Sequence, residues 1–120
     1  MARVTVSDDL LTVSLEGLDR LWALKGSITV PLRHVRGATA DPGASREPKG
    51  VRAPGLHVPG VAAVGTFRRE GEKVLWAVHD GAGAVVIELV DEDYARLVIE
   101  VDDPRAVADE VNAAAQRAAR

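Results

Sequence analysis

Lys73-Val-Leu-Trp-Ala-Val-His79, Ala84-Val-Val-Ile-Glu-Leu-Val90 and Tyr94-Ala-Arg-Leu-Val-Ile-Glu-Val101, leading into Asp103-Pro104, form the stretch that decides the fold. In the first run Val74, Trp76 and Val78 share one face at period two, opposite Leu75, Ala77 and His79. Val85, Ile87 and Leu89 do the same opposite Glu88, and Ala95, Leu97, Ile99 and Val101 oppose Arg96, Val98 and Glu100. β-Branched side chains dominate, and these suit a pleated, half-buried surface better than a helix. Asp80-Gly-Ala-Gly83 tolerates positive φ and predicts a hairpin between the first two runs. Asp91-Glu-Asp93 predicts a solvated turn, because Ca²⁺ needs six or more oxygens from a shaped loop and no EF-hand-like spacing is present.

After the strands the pattern changes period. Asp103 is a good N-cap for the orphan N–H groups of a first turn, and Pro104 fits the first helical position, where a missing donor costs nothing. Val107, Val111, Ala114, Ala115 and Ala118 recur at helical spacing, and Arg117 and Arg120 lie where positive charge complements the dipole. The spacing predicts a helix over 103–119 whose narrow, Ala-rich stripe docks closely on the sheet.

Towards the N-terminus the chain reads as further short strands. Val4 to Val6 predicts an edge strand or a frayed end, and Leu11, Val13 and Leu15 alternate with polar residues as a first firm strand. A turn at Glu16-Gly17 precedes a strand over Leu18–Leu24 containing Trp22, then Lys25-Gly26-Ser27 turns the chain again. Ile28, Val30 and Leu32 form the next strand, with Pro31 marking an edge or an end. Val35–Ala40 is weakly strand-like. Residues 41–60 hold four of the six prolines and four of the eleven glycines without periodicity, and predict a long, specificity-carrying loop. Val64–Arg69 resumes a strand, turned by Glu70-Gly71-Glu72.

A chain of 120 residues suits one domain, 1–120, with a core of its own. There is no cysteine, so disulfides, thiolate metal sites and cysteine nucleophiles are excluded. Charged or turn residues break every apolar run well short of the about 18 residues a membrane helix needs. The start, Met-Ala-Arg-Val-Thr-Val-Ser-Asp-Asp, lacks a signal-like apolar core, so the expected location is cytoplasmic. The net charge of −3 is unevenly spread: residues 33–73 carry eight basic and four acidic groups, and residues 74–120 carry four basic and ten acidic. Such a polarity steers partners or favours head-to-tail association, and equally suits solvated faces.

Short strands closely spaced by turns, followed by one helix, point to a mainly β antiparallel barrel or sandwich capped at one end. In that order of elements the chain resembles the pleckstrin-homology-like (PH-like) domains, in particular the small actinobacterial type. The resemblance is carried by Leu18-Asp-Arg-Leu-Trp-Ala-Leu24, Val30-Pro-Leu-Arg-His-Val35, Ala53-Pro-Gly55, Pro59-Gly60, Gly65-Thr-Phe67, Trp76, Arg96-Leu-Val-Ile-Glu-Val101 and Asp103-Pro104. It covers nearly the whole chain and consists mostly of scaffold signals. It implies a barrel over about 4–101, of about seven antiparallel strands in two roughly orthogonal sheets, capped by one C-terminal α-helix. It also implies a non-enzymatic binding module. Inositide-binding members draw basic residues from the first hairpin loop. Here the matching turn, Glu16-Gly17-Leu18-Asp19, puts two carboxylates at the mouth, with only Arg20 and Lys25 nearby.

No constellation for catalysis emerges from the residues themselves. His34, His57 and His79 sit on separate segments without metal-ligand spacing, and Ser7, Ser14, Ser27 and Ser45 lie in no nucleophile-elbow context. The glycines match neither the phosphate loop nor the dinucleotide fingerprint, and no cofactor or metal is expected. Trp76 reads as core, while Trp22 is out of phase with Leu21 and Ala23 and reads as exposed. The acidic balance and the lack of an aromatic–basic array argue against nucleic acid. The expected function is protein or peptide binding, or self-association into a homo-oligomer, by strand addition at a sheet edge. The alternative is peripheral binding of acidic lipid or another anion through Arg46, Lys49 and Arg52, with Arg33, Arg36, Arg68 and Arg69 adjoining.

Overall fold

The computed structural model describes residues 2–15, 26–41, 51–58, 62–79 and 83–119; for 51–58, 62–63 and 69 it describes the backbone alone. The strand predicted over Leu18–Leu24, with Trp22, and the Glu16-Gly17 turn lie outside these residues. Within them the chain forms β1 (Ala2–Ser7), β2 (Leu10–Leu15), β3 (Ser27–Pro31), β4 (Val35–Ala40), β5 (Val51–Val58), β6 (Ala62–Arg69), β7 (Glu72–Val78), β8 (Ala84–Leu89) and β9 (Arg96–Glu100). A 3-10 turn, Leu32–His34, joins β3 to β4, and helix α1 spans Pro104–Ala118. The protein is mainly β, with one C-terminal helix, as the periodicity predicts.

The strands make two sheets, β1-β2-β3 and β4-β8-β9-β7-β6-β5. Each ends in two edge strands, so among the described residues neither closes into a barrel. Nine strands are described where about seven were expected, and one pair is parallel: β7 runs alongside β9, with Leu75 opposite Leu97 and Ala77 opposite Ile99. The hairpin expected at Asp80–Gly83 does not join neighbours, because β9 inserts between β7 and β8. The cause is visible in β7, where Val74 to Val78 are all buried. A strand apolar on both faces belongs inside a sheet. A parallel partner also needs a connection of a dozen or more residues, which β8 and its flanks supply. At the crossover Val101 N–H bonds Gly83 O at 3.0 Å, and a β-carbon on Gly83 would sit 2.6 Å from the Val101 carbonyl oxygen.

The predicted loop over 41–60 gives way to β5 at Val51–Val58, paired antiparallel with β6. Pro54 lies where the register shifts between Arg52 and Gly55, on an edge strand. A bulge on an edge is where a sheet accepts proline, since no ladder bond is lost there. Between β6 and β7 only Glu70 and Gly71 turn the chain, with φ of 54° and 81°. Two residues at positive φ make the turn whose twist matches paired strands.

The main core lies between the sheets and under the helix. Leu11, Val13, Leu15 and Val30 meet Val64, Leu75, Ala77, Val85, Ile87, Leu97 and Ile99, and the helix adds Ala108, Val111 and Ala114. The helix packs chiefly on β4, with further contact to β8, the 3-10 turn and β1. Asp103 caps it as predicted, accepting from Ala106 N–H at 3.1 Å, with Pro104 following. A second cluster on the far face of the larger sheet holds Phe67, Val74, Trp76, Val78, Ala84, Val86 and Val98. Trp76 meets Phe67 edge to face there, with centroids 6.5 Å apart.

Candidate functional site

Of the basic residues predicted as an anion site or as adjoining it, only some fall among the described residues. Arg46 and Lys49 lie outside the described residues, and Arg52 is described by its backbone in β5, opposite Phe67. Arg33 and Arg36 are exposed on the 3-10 turn and β4, whereas exposed Arg68 is on β6. β4 and β6 stand four strand spacings apart, about 19 Å along the sheet. Arg33 and Arg36 therefore do not adjoin Arg68 or Arg52.

Strand addition needs an open edge, and the edges differ. On β4 the helix side chain Asn112 occupies the place of a neighbouring strand. Its Nδ2 donates to Ala38 O and its Oδ1 accepts from Ala38 N–H, each at 2.8 Å. Gly37 lets the amide approach, since a β-carbon there would already lie 3.4 Å from Asn112 Oδ1. At Ala38, then, that edge is occupied, and the helix packs along β4.

β3 presents the opposite case. It pairs with β2 on one side, and among the described residues no strand pairs with its other side. The ladder's phase is set by Leu15 N–H on Gly26 O and Leu32 N–H on Asp9 O, each 2.8 Å. Antiparallel ladders alternate, so Ile28 and Val30 turn their backbone groups to β2, and Ser27 and Thr29 turn theirs outwards. Pro31 ends the strand at φ −62° and opens the 3-10 turn, limiting the free edge to a short segment.

Beside this edge lies an open cleft of about 240 Å³, lined by Ser27, Ile28, Thr29, Val30, Leu89, Glu92, Asp93 and Tyr94. Its far wall is the turn between β8 and β9, pinned at several points. Val90 N–H bonds His34 O at 2.8 Å, Leu89 N–H bonds Ala95 O at 2.9 Å, and Ala95 N–H bonds Lys73 O at 2.8 Å. His34 Nδ1 meets Glu92 Oε2 at 2.5 Å, and Lys73 Nζ meets Asp93 Oδ2 at 2.6 Å. The Lys73 ammonium also lies 4.8 Å from the ring centre of Tyr94, whose buried hydroxyl shares a 2.8 Å hydrogen bond with Thr66 Oγ1. The turn read as three solvated carboxylates is thus a braced wall with two of them bonded.

The His34–Glu92 pair has the look of an acid orienting a base. Among the described residues the His34 ring meets no hydroxyl. His34 lies by the Asp93 end of the larger sheet, and His79 follows the other end of β7, where its N–H bonds Glu100 Oε1 at 3.2 Å. Among the described residues no three acidic or histidine side chains are grouped to hold a metal ion. No helix among them is long and apolar enough to cross a membrane.

No family model, curated protein or solved structure matches this chain. The sequence marked β3 through Pro31 as an edge or an end, but it did not single out Ser27 and Thr29, and it missed Asn112. The amide did leave a signal: Asn112 falls in line with Ala108 and Ala115 at helical spacing, a polar residue on an otherwise apolar line. The outward phase of Ser27 and Thr29 left none, because it depends on which side of β3 finds a partner.

Proposed function

We propose that this protein is a non-enzymatic binding module that takes up an extended peptide as an added strand along β3. The observation that carries the reading is the pairing of an open edge at Ser27–Thr29 with a cleft running beside it. Main-chain bonds from such an edge supply affinity, and the cleft supplies side-chain selection. The β4 edge supports the same reading, since Asn112 covers it at Ala38 whereas among the described residues nothing covers β3. A PH-like ancestry for this scaffold is part of the proposal, supported by the mainly β architecture with its C-terminal helix; the parallel β7–β9 pair departs from the resemblance.

The test is Thr29→Pro. Thr29 N–H faces away from β2, so proline removes a donor from the free edge without breaking the ladder. Labelled strand-forming peptides of alternating Thr and Val should bind the wild type and not the variant, which also loses the exposed 3.2 Å contact between the Thr12 and Thr29 hydroxyls and should melt only slightly lower. Sedimentation with anionic liposomes runs alongside. Peptides that never bind, with liposomes that carry the protein down at low salt, would replace this reading with the acidic-lipid one.

A further inference from the structure

The charged groups on the cleft wall say what kind of strand fits. Resting on the strand-addition reading, we propose that the occupant is basic: an extended segment placing Lys or Arg beside Glu92 and Asp93 while small apolar side chains face Leu89 and Tyr94. Both charged residues lining the cleft are carboxylates. Asp93 already holds Lys73, but its side chain is 75% exposed, and a carboxylate accepts from more than one donor. Glu92 is engaged through Oε2, and among the described residues its other oxygen accepts no bond. Lys73 is held back over the Tyr94 ring rather than placed along β3. An incoming cation therefore adds to these pairs and displaces neither His34 nor Lys73.

A second copy of this chain is the poorer occupant. Two β3 strands related by a two-fold axis would bring both sets of Glu92 and Asp93 to the same joint, and like charges facing each other oppose association. Pro31 would also meet its partner edge without an N–H to offer. A neutral strand meets neither obstacle and gains no ionic contact.

Three labelled ten-residue peptides with equal strand propensity, carrying Lys, Gln or Glu at alternate positions, test the proposal by fluorescence anisotropy at low and moderate salt. The proteins are the wild type, Thr29→Pro, and the double variant Glu92→Gln with Asp93→Asn. The wild type should prefer the Lys peptide over the Gln peptide by about fivefold to tenfold, the scale of two exposed ion pairs, and bind the Glu peptide least. Added salt and the double variant should each bring the Lys and Gln peptides together, and Thr29→Pro should weaken all three. Equal binding of Lys and Gln peptides to the wild type would overturn the basic occupant and leave strand addition standing. A Lys preference that survives Thr29→Pro at full affinity would place the cation elsewhere and overturn the strand-addition reading with it. Absence of binding by all three would do the same.

Discussion

Trp76 illustrates how much one side chain contributes here. It is 1% exposed, lies in the second apolar cluster, and meets Phe67 edge to face, although the two come from different strands. Trp76→Ala removes a large buried volume from a site held between paired strands, where collapse is restricted. The expected loss is about 3–5 kcal/mol. In thermal unfolding that corresponds to a fall of about 10–20 °C for a chain of this length. An unchanged melting temperature would mean the cluster is not a core. Period two in Val74, Trp76 and Val78 was enough to assign the residue to a buried face. The identity of its neighbours was not legible, because Phe67 reaches it through strand pairing rather than through local sequence.

At the scale of elements, the helix acts on the sheet through one amide as well as through its apolar stripe. Val111 and Ala114 bury as their spacing predicts, and Asn112 completes the β4 edge. Asn112→Ala leaves one donor and one acceptor of Ala38 without their partner, at a cost of about 1–3 kcal/mol. It also uncovers the β4 edge at Ala38, so the variant should show more concentration-dependent association by size-exclusion chromatography than the wild type. A variant with wild-type stability and elution would show that the amide is incidental. The error over β5 belongs to this scale too. Proline and glycine are loop signals locally, yet an edge strand tolerates both, and whether a strand is an edge is not a local property.

For the whole molecule, the order of strands predicts a gradient of local stability. β7 and β9 lie inside the six-stranded sheet with paired neighbours on both sides, whereas among the described residues β3 has one. Amides of Leu75, Trp76, Ala77 and Val98 should exchange with solvent only through global unfolding, and the outward amide of Thr29 should belong to the fastest class. Hydrogen exchange read residue by residue checks this directly. Protection of Thr29 equal to that of Trp76 would mean the β3 edge is already covered, and the peptide proposal would fall with it.

What the sequence by itself determined is the local layer. Alternation marked β2, β3 and β6 to β9, Asp103-Pro104 placed the start of the helix, and the lack of cysteine excluded thiol chemistry. These follow from side-chain period and backbone preference, which act over a few residues. The tertiary structure alone decided that β9 inserts beside β7, that β5 is a strand, that Asn112 covers β4 at Ala38 and that, among the described residues, Ser27 and Thr29 leave another edge open. Each of those depends on which segments distant in sequence meet. A hydrogen-bonding backbone carries the same groups at every residue, so only the assembled sheet distinguishes a satisfied edge from a free one.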